Sequence, residues 1–150
     1  MSDKLDRLKA LAEKAETIST YEIERKKNLK RLEGLYEKLH LQEKVETFDK
    51  LFSFNAINLS GIGLSGERLG QISEGKYAQM IAISSVEEEG RKRSKNINLR
   101  YFGRVENLEE NLKRDILEFI LRWRLEKSFR GVDHYRQLLK RLDAASNAGG

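Results

Sequence analysis

The sequence predicts an α+β protein with a long N-terminal helix, a small antiparallel β-meander of three or four strands, and two C-terminal helices packed on the sheet. Three observations carry that expectation. Apolar residues recur at steps of three and four in the first third of the chain and again after Asn107, which is the spacing of a helix face. Between them, residues 54–106 change to glycine punctuation and two-residue alternation, the pattern of short strands and turns. The 150 residues include no proline, the residue that most sharply interrupts helices and sheet ladders.

The first stripe is Leu5, Leu8, Ala12, Ala15 and Ile18; Leu29, Leu32, Tyr36 and Leu39 repeat it, and Val45, Phe48 and Phe52 continue it after a phase shift at His40–Leu41. The intervening positions are mostly Lys, Arg and Glu, as a solvated face requires. Two readings remain open at residues 18–22. The helix runs through with Arg25 as a polar seam position, or Ser19 and Glu22 form a capping box that starts a second, antiparallel helix. The lack of glycine or proline there favours the continuous form. A straight helix over residues 3–52 would be roughly 75 Å long at ~1.5 Å per residue. A narrow apolar stripe does not hold such a rod alone. Leu29, Leu32, Tyr36 and Leu39 are therefore the candidate oligomerisation seam, the alternative being that the stripe packs on the chain's own globule.

Residues 55–64 read as the first strand, bent or bulged at Gly61. Residues 65–67 make a turn, 68–73 a short second strand, and 74–76 another turn. Residues 77–86 are apolar on both parities, as in a covered central strand, whereas Ile97, Leu99 and Tyr101 alternate with polar neighbours and leave one face wet. The charged segment between these strands places acid first and base second, so its limbs can pair across a hairpin.

Asn107, with Glu110 three residues on, predicts a helix start. Leu108, Leu112, Ile116, Phe119, Ile120 and Trp123 form one stripe, and Leu117, Leu121, Leu125 and Phe129 another. Such a helix needs cover on both faces, which makes Leu117, Leu121 and Leu125 candidates for a second interface. Gly131 suits a left-handed helix end, and Asp133 then caps a last helix whose Tyr135, Leu138, Leu139 and Leu142 face inward. The expected division is a helical segment at 1–53, a globular domain at 54–145 and a disordered tail at 146–150.

The chain has no cysteine, which excludes disulfides, a thiol nucleophile and thiolate zinc sites. His40 and His134 are too far apart in sequence to suggest a histidine-built metal centre. Residues 61–66 match G-x-G-x-x-G and residues 70–76 match G-x-x-x-x-G-K. The first lacks the β–α–β unit a dinucleotide needs, and the second has Tyr77 where Mg²⁺ binding needs Ser or Thr. Turn glycines explain both better. No catalytic, cofactor-binding or metal-ligating residue is assigned, and the expectation is a non-enzyme.

The cluster Arg91, Lys92, Arg93 and Lys95 is the most suggestive one. On a hairpin tip it could follow phosphates or enter a groove, or serve as an import signal. The opposing reading is a soluble loop balanced by Glu87, Glu88 and Glu89. The net charge of +5 is spread along the chain rather than gathered as in dedicated nucleic-acid binders. No stretch approaches the ~20 apolar residues of a membrane span, and the N-terminus lacks a secretory apolar core. The protein is expected to be soluble and intracellular, cytoplasmic or nuclear.

The element order over about residues 41–145 is similar to that of coiled-coil proteins ending in RWD-type domains. The chain lacks the proline-containing loop of that family, and no site residue follows from the likeness. The functional expectation is an assembly or adaptor protein. It would oligomerise through its N-terminal helix and bind a protein partner through its globule, with nucleic-acid binding at residues 91–95 as the alternative.

Overall fold

The computed structural model describes residues 2–149; the side chains of residues 2, 14–19 and 147–149 are outside that description, as are Met1 and Gly150. The expected stripe positions Ala15 and Ile18, the cap at Ser19 and most of the tail at 146–150 therefore fall, as side chains, outside the described residues.

The protein is α+β, but its layout corrects the expected one. The first helix, α1, spans Ser2–Lys38 and passes residues 18–22 without a break. It does not reach residue 52. His40 adopts a left-handed conformation (φ 55°), and the chain then winds through short 3-10 turns at Leu41–Glu43 and Phe48–Ser53. The phase shift at His40–Leu41 is thus the end of the helix. Val45 and Phe52 are buried in the core, with Phe48 packed against it, so they do not continue a seam. The Tyr36 hydroxyl donates a hydrogen bond to the Val45 carbonyl and fixes the reversal.

The sheet has three strands in the order β1-β2-β3: Ala56–Ser60, Tyr77–Glu88 and Arg91–Arg104, all antiparallel. Residues 68–73 do not form the expected strand. The backbone there folds back on itself: Gly63 N–H donates to the Gln71 carbonyl, Gly70 N–H to the Gly63 carbonyl, and Ser73 N–H to the Gly61 carbonyl. A Cβ on Gly63 would lie 2.1 Å from the Arg68 carbonyl oxygen, so the loop's closeness requires glycine there. The charged segment lies almost wholly within strands. Glu89 and Gly90, both at positive φ, make the two-residue turn of a long β-hairpin. Register shifts between Ala78 and Gln79 and between Met80 and Ile81 bulge β3. Leu99 and Phe102 both reach the core side across this distortion.

The two expected C-terminal helices are one helix, α2 (Glu110–Gly149). Gly131 stays helical, since it is not among the residues at positive φ, and Asp133 pairs with Arg25 of α1 instead of capping a new helix. Tyr135, Leu138, Leu139 and Leu142 do not face inward; all are exposed.

α1 and α2 run antiparallel. Moving along α1, Tyr21, Arg25, Asn28, Arg31 and Lys38 meet Phe129, Glu126, Arg122, Glu118 and Asp115 in turn. The main core joins Leu32, Leu35, Tyr36 and Leu39 of α1 to Ile57, Met80, Ala82 and Leu99 of the sheet and Ile116, Phe119, Ile120 and Trp123 of α2. The connector between α1 and β1 completes it with Leu41, Val45, Leu51, Phe52 and Phe54. Its backbone is tied down by Trp123 Nε1–H donating to the Leu51 carbonyl at 2.9 Å and Lys127 Nζ donating to the Phe52 carbonyl at 3.1 Å.

Candidate interaction surface

Two heptad seams run along α2, one residue out of step. The first is Asp115, Phe119, Arg122, Glu126, Phe129, Asp133 and Arg136, spaced 4-3-4-3-4-3. It faces α1 and the core. Arg25 grips Glu126 at 2.8 Å and also pairs with Asp133. Arg31 holds Glu118 at 2.8 Å, and Arg122 holds the same carboxylate at 2.7 Å. Glu126 is fully buried, with Arg25 and Arg130 on one oxygen and, among the described residues, no partner on the other. Removing one partner of such a pair costs more than the pair itself contributes, because the other charge is left without its match. The Arg31 and Arg122 guanidiniums lower the Glu118 carboxyl to about 2 from an ordinary 4.5, against the opposing effect of partial burial.

The second seam is Leu121, Leu125, Ser128, Val132, Tyr135, Leu139 and Leu142, the same 4-3 spacing shifted by one residue. One residue turns a helix by about 100°, so this seam points a quarter-turn away from α1. Every position in it is exposed. The apolar ones leave between 37% and 67% of their surface in water. At the N-terminal end of α1, Leu5, Leu8 and Leu11 are exposed as well. A groove of about 680 Å³ continues the second seam toward the start of α2, with Leu69, Leu117 and Leu121 among its lining and Lys113, Arg114, Glu118 and Arg122 along its rim.

The residues singled out in the sequence separate sharply in place. Leu32, Tyr36 and Leu39 are buried in the chain's own core, and Leu29 is partly buried against it. Their surfaces are spent on intrachain packing. Leu117 is half-buried against the small cluster of Ile62, Ala78 and Val105, whereas Leu121 and Leu125 are exposed. Those two belong to the second seam, whose continuation through Val132 to Leu142 was hidden by reading Gly131 as a helix end. The unbroken 4-3 spacing across Gly131 is the signal that identifies it.

Arg91, Lys92, Arg93 and Lys95 are all exposed on the hairpin. β1 ends its pairing with β2 at Ile83, and residues 84–95 continue as a two-stranded ribbon whose base is tied down by the Asn55 side chain donating to the Ser85 hydroxyl. Arg91, Arg93 and Lys95 alternate onto one face and Lys92 onto the other. Carboxylates offset them: Glu88 is opposite Arg91, Glu87 is opposite Lys92, and Arg93 lies 3.7 Å from Glu88.

The glycine motifs are occupied by their own loops. The Gly75 amide, in the loop that resembles a phosphate cradle, donates to the Glu106 carboxylate, which holds that carboxyl below its ordinary range. Among the described residues, no three His, Asp or Glu side chains converge as a metal-holding group. No helix among them is long and apolar enough to cross a membrane. Compared with known proteins, the chain matches no family model, no curated protein and no solved structure.

Proposed function

We propose that this chain is a non-enzymatic assembly protein that docks another protein chain along the second seam of α2. One observation carries the reading: a 4-3 heptad pattern from Leu121 to Leu142 is apolar at every position but Ser128 and exposed at every position. Apolar heptads on a helix surface are stable when a second helix covers them. The globule supplies a rigid base for this surface, since the same helix is anchored in the core by Ile116, Phe119, Ile120 and Trp123. The seam on α1 first expected to mediate pairing is already occupied by this chain, which moves the docking surface to α2 and to the exposed leucines of α1.

The test is photo-crosslinking in the cells that naturally make the protein. A crosslinking residue at position 139 is expected to give discrete protein adducts, and the same residue at Glu74, on the surface loop before β2, none. Equal labelling at both positions, or none at 139, contradicts the reading.

A second reading, nucleic-acid contact by the hairpin, is supported by one observation: Arg91, Arg93 and Lys95 share a face of the ribbon that β2 and β3 extend beyond β1. Affinity would then fall steeply with salt, and replacing these residues by Gln would flatten that dependence. The neighbouring Glu87, Glu88 and Glu89 oppose it, so it ranks below the helical seam.

A further inference from the structure

We infer that the occupant of the α2 seam is a second copy of this chain, lying antiparallel across a two-fold axis near Val132 and Tyr135. The inference rests on the assembly reading above and names its partner.

The seam has the area a dimer needs. Its exposed apolar side chains put on the order of 600 Å² in water, at the upper end of what a monomer displays. One side of a standard interface covers ~800 Å², of which a little over half is apolar. The seam alone supplies that apolar share.

The seam is also complementary to itself when reversed. An antiparallel heptad pair sets Leu125 of one copy against Leu142 of the other and Val132 against Tyr135 of the other. Beside that centre lies Gly131. Among the described residues nothing approaches its position: an added Cβ would meet no atom within 4 Å. Glycine weakens a helix interior and here serves no turn or positive φ. In the reversed pair, Gly131 stands opposite Leu138 of the other copy, an exposed leucine on the seam's edge, and its missing side chain makes room for it. The same arrangement lays the outer half of each α2, where Tyr135, Leu139 and Leu142 are most exposed, beside the inner half of its partner. The inner half is held by the globule. A parallel pair would instead set the two exposed outer halves against each other, away from either globule.

The native chain has no cysteine, so introduced thiols report the geometry cleanly. The full-length variants Leu125→Cys and Leu142→Cys are mixed and oxidised after light scattering establishes the mass of the chain. The expected results are a dimer, a disulfide between position 125 of one chain and 142 of the other, and little linkage of Leu142→Cys to itself. Gly131→Leu is expected to weaken association at least tenfold while the circular dichroism stays unchanged. A dimer that links 142 to 142 overturns the antiparallel arrangement. A monomer up to ~100 µM overturns the second copy as occupant. In that case photo-crosslinks from position 139 to a different chain would leave the assembly reading standing, and their absence would remove it too.

Discussion

The inner and outer halves of the α1–α2 pair use the same heptad spacing for opposite ends. In the inner half, Arg25, Asn28, Arg122 and Glu126 lace a seam that is buried or half-buried within one chain, with the exposed Arg31 clasping Glu118 at its edge. In the outer half, Leu5, Leu8 and Leu11 of α1 and Val132, Leu138, Leu139 and Leu142 of α2 are apolar and lie in solvent. The contact within the chain combines an apolar core with charged pairs, whereas the outer surface offers apolar groups that the described residues leave exposed. The difference teaches that hydrophobic spacing marks a helix face and says nothing about whose atoms cover it. Coverage within the chain comes from the globule: where the connector and sheet reach α1, at Leu32 to Leu39, the stripe is buried, whereas Leu5, Leu8 and Ala12 are exposed.

The largest separation between the halves should come from placing a charge in each. Leu32→Asp puts an unpaired carboxylate at a position with no exposure and is expected to cost more than about 4 kcal/mol, abolishing cooperative urea unfolding. Leu139→Asp, on the solvent face, should shift the unfolding of dilute protein by no more than about 0.5 kcal/mol. A folded Leu32→Asp protein would erase the distinction.

Next in size is the ionic lacing of the inner half. Glu126→Ala leaves Arg25 with Asp133 as its remaining partner and is expected to cost ~1–3 kcal/mol. Replacing both Arg25 and Glu126 by leucine should recover most of that loss, because neither charge then has to be desolvated. A loss below about 1 kcal/mol for Glu126→Ala, read from chemical denaturation, would mean the pair contributes nothing to the inner half.

A smaller effect concerns acid. Glu118 is lowered to about 2 in the folded chain from an ordinary 4.5, so its folded form binds a proton less readily than its unfolded form. The stability it contributes is complete above the ordinary carboxylate range and is lost as pH falls from about 4.5 toward 2. Glu118→Gln should remove that component, giving a shallower decline in melting temperature over the same window. An unchanged acid slope would show that the Arg31–Glu118–Arg122 contact is not maintained in solution.

Much of this was legible in the residues, and the failures have physical causes. The glycine-punctuated middle and the covered β2 are evident from alternation and composition. The end of α1 left a trace as the phase shift at His40–Leu41, but a histidine at positive φ carries no signature of its own. Gly131 looked like a left-handed helix end because glycine usually serves there, and only the 4-3 spacing continuing past it argues otherwise. The apparent strand at residues 68–73 failed because its alternation is short and its ends are held by Gly61, Gly63 and Gly70 in a loop stitched by its own amides. Of the candidate surface, Leu121 and Leu125 were visible as a second stripe. Tyr135, Leu139 and Leu142 were visible as helical but assigned inward, since nothing in a spacing of three and four separates a buried face from one awaiting a partner.

The most direct test of the exposed seam is the light-scattering mass of the full chain beside that of a Leu139→Glu/Leu142→Glu variant, at low and high salt. The account predicts a dimer for the native sequence, insensitive to salt, and a folded monomer for the variant with the same circular dichroism. Identical masses for the two proteins would contradict it.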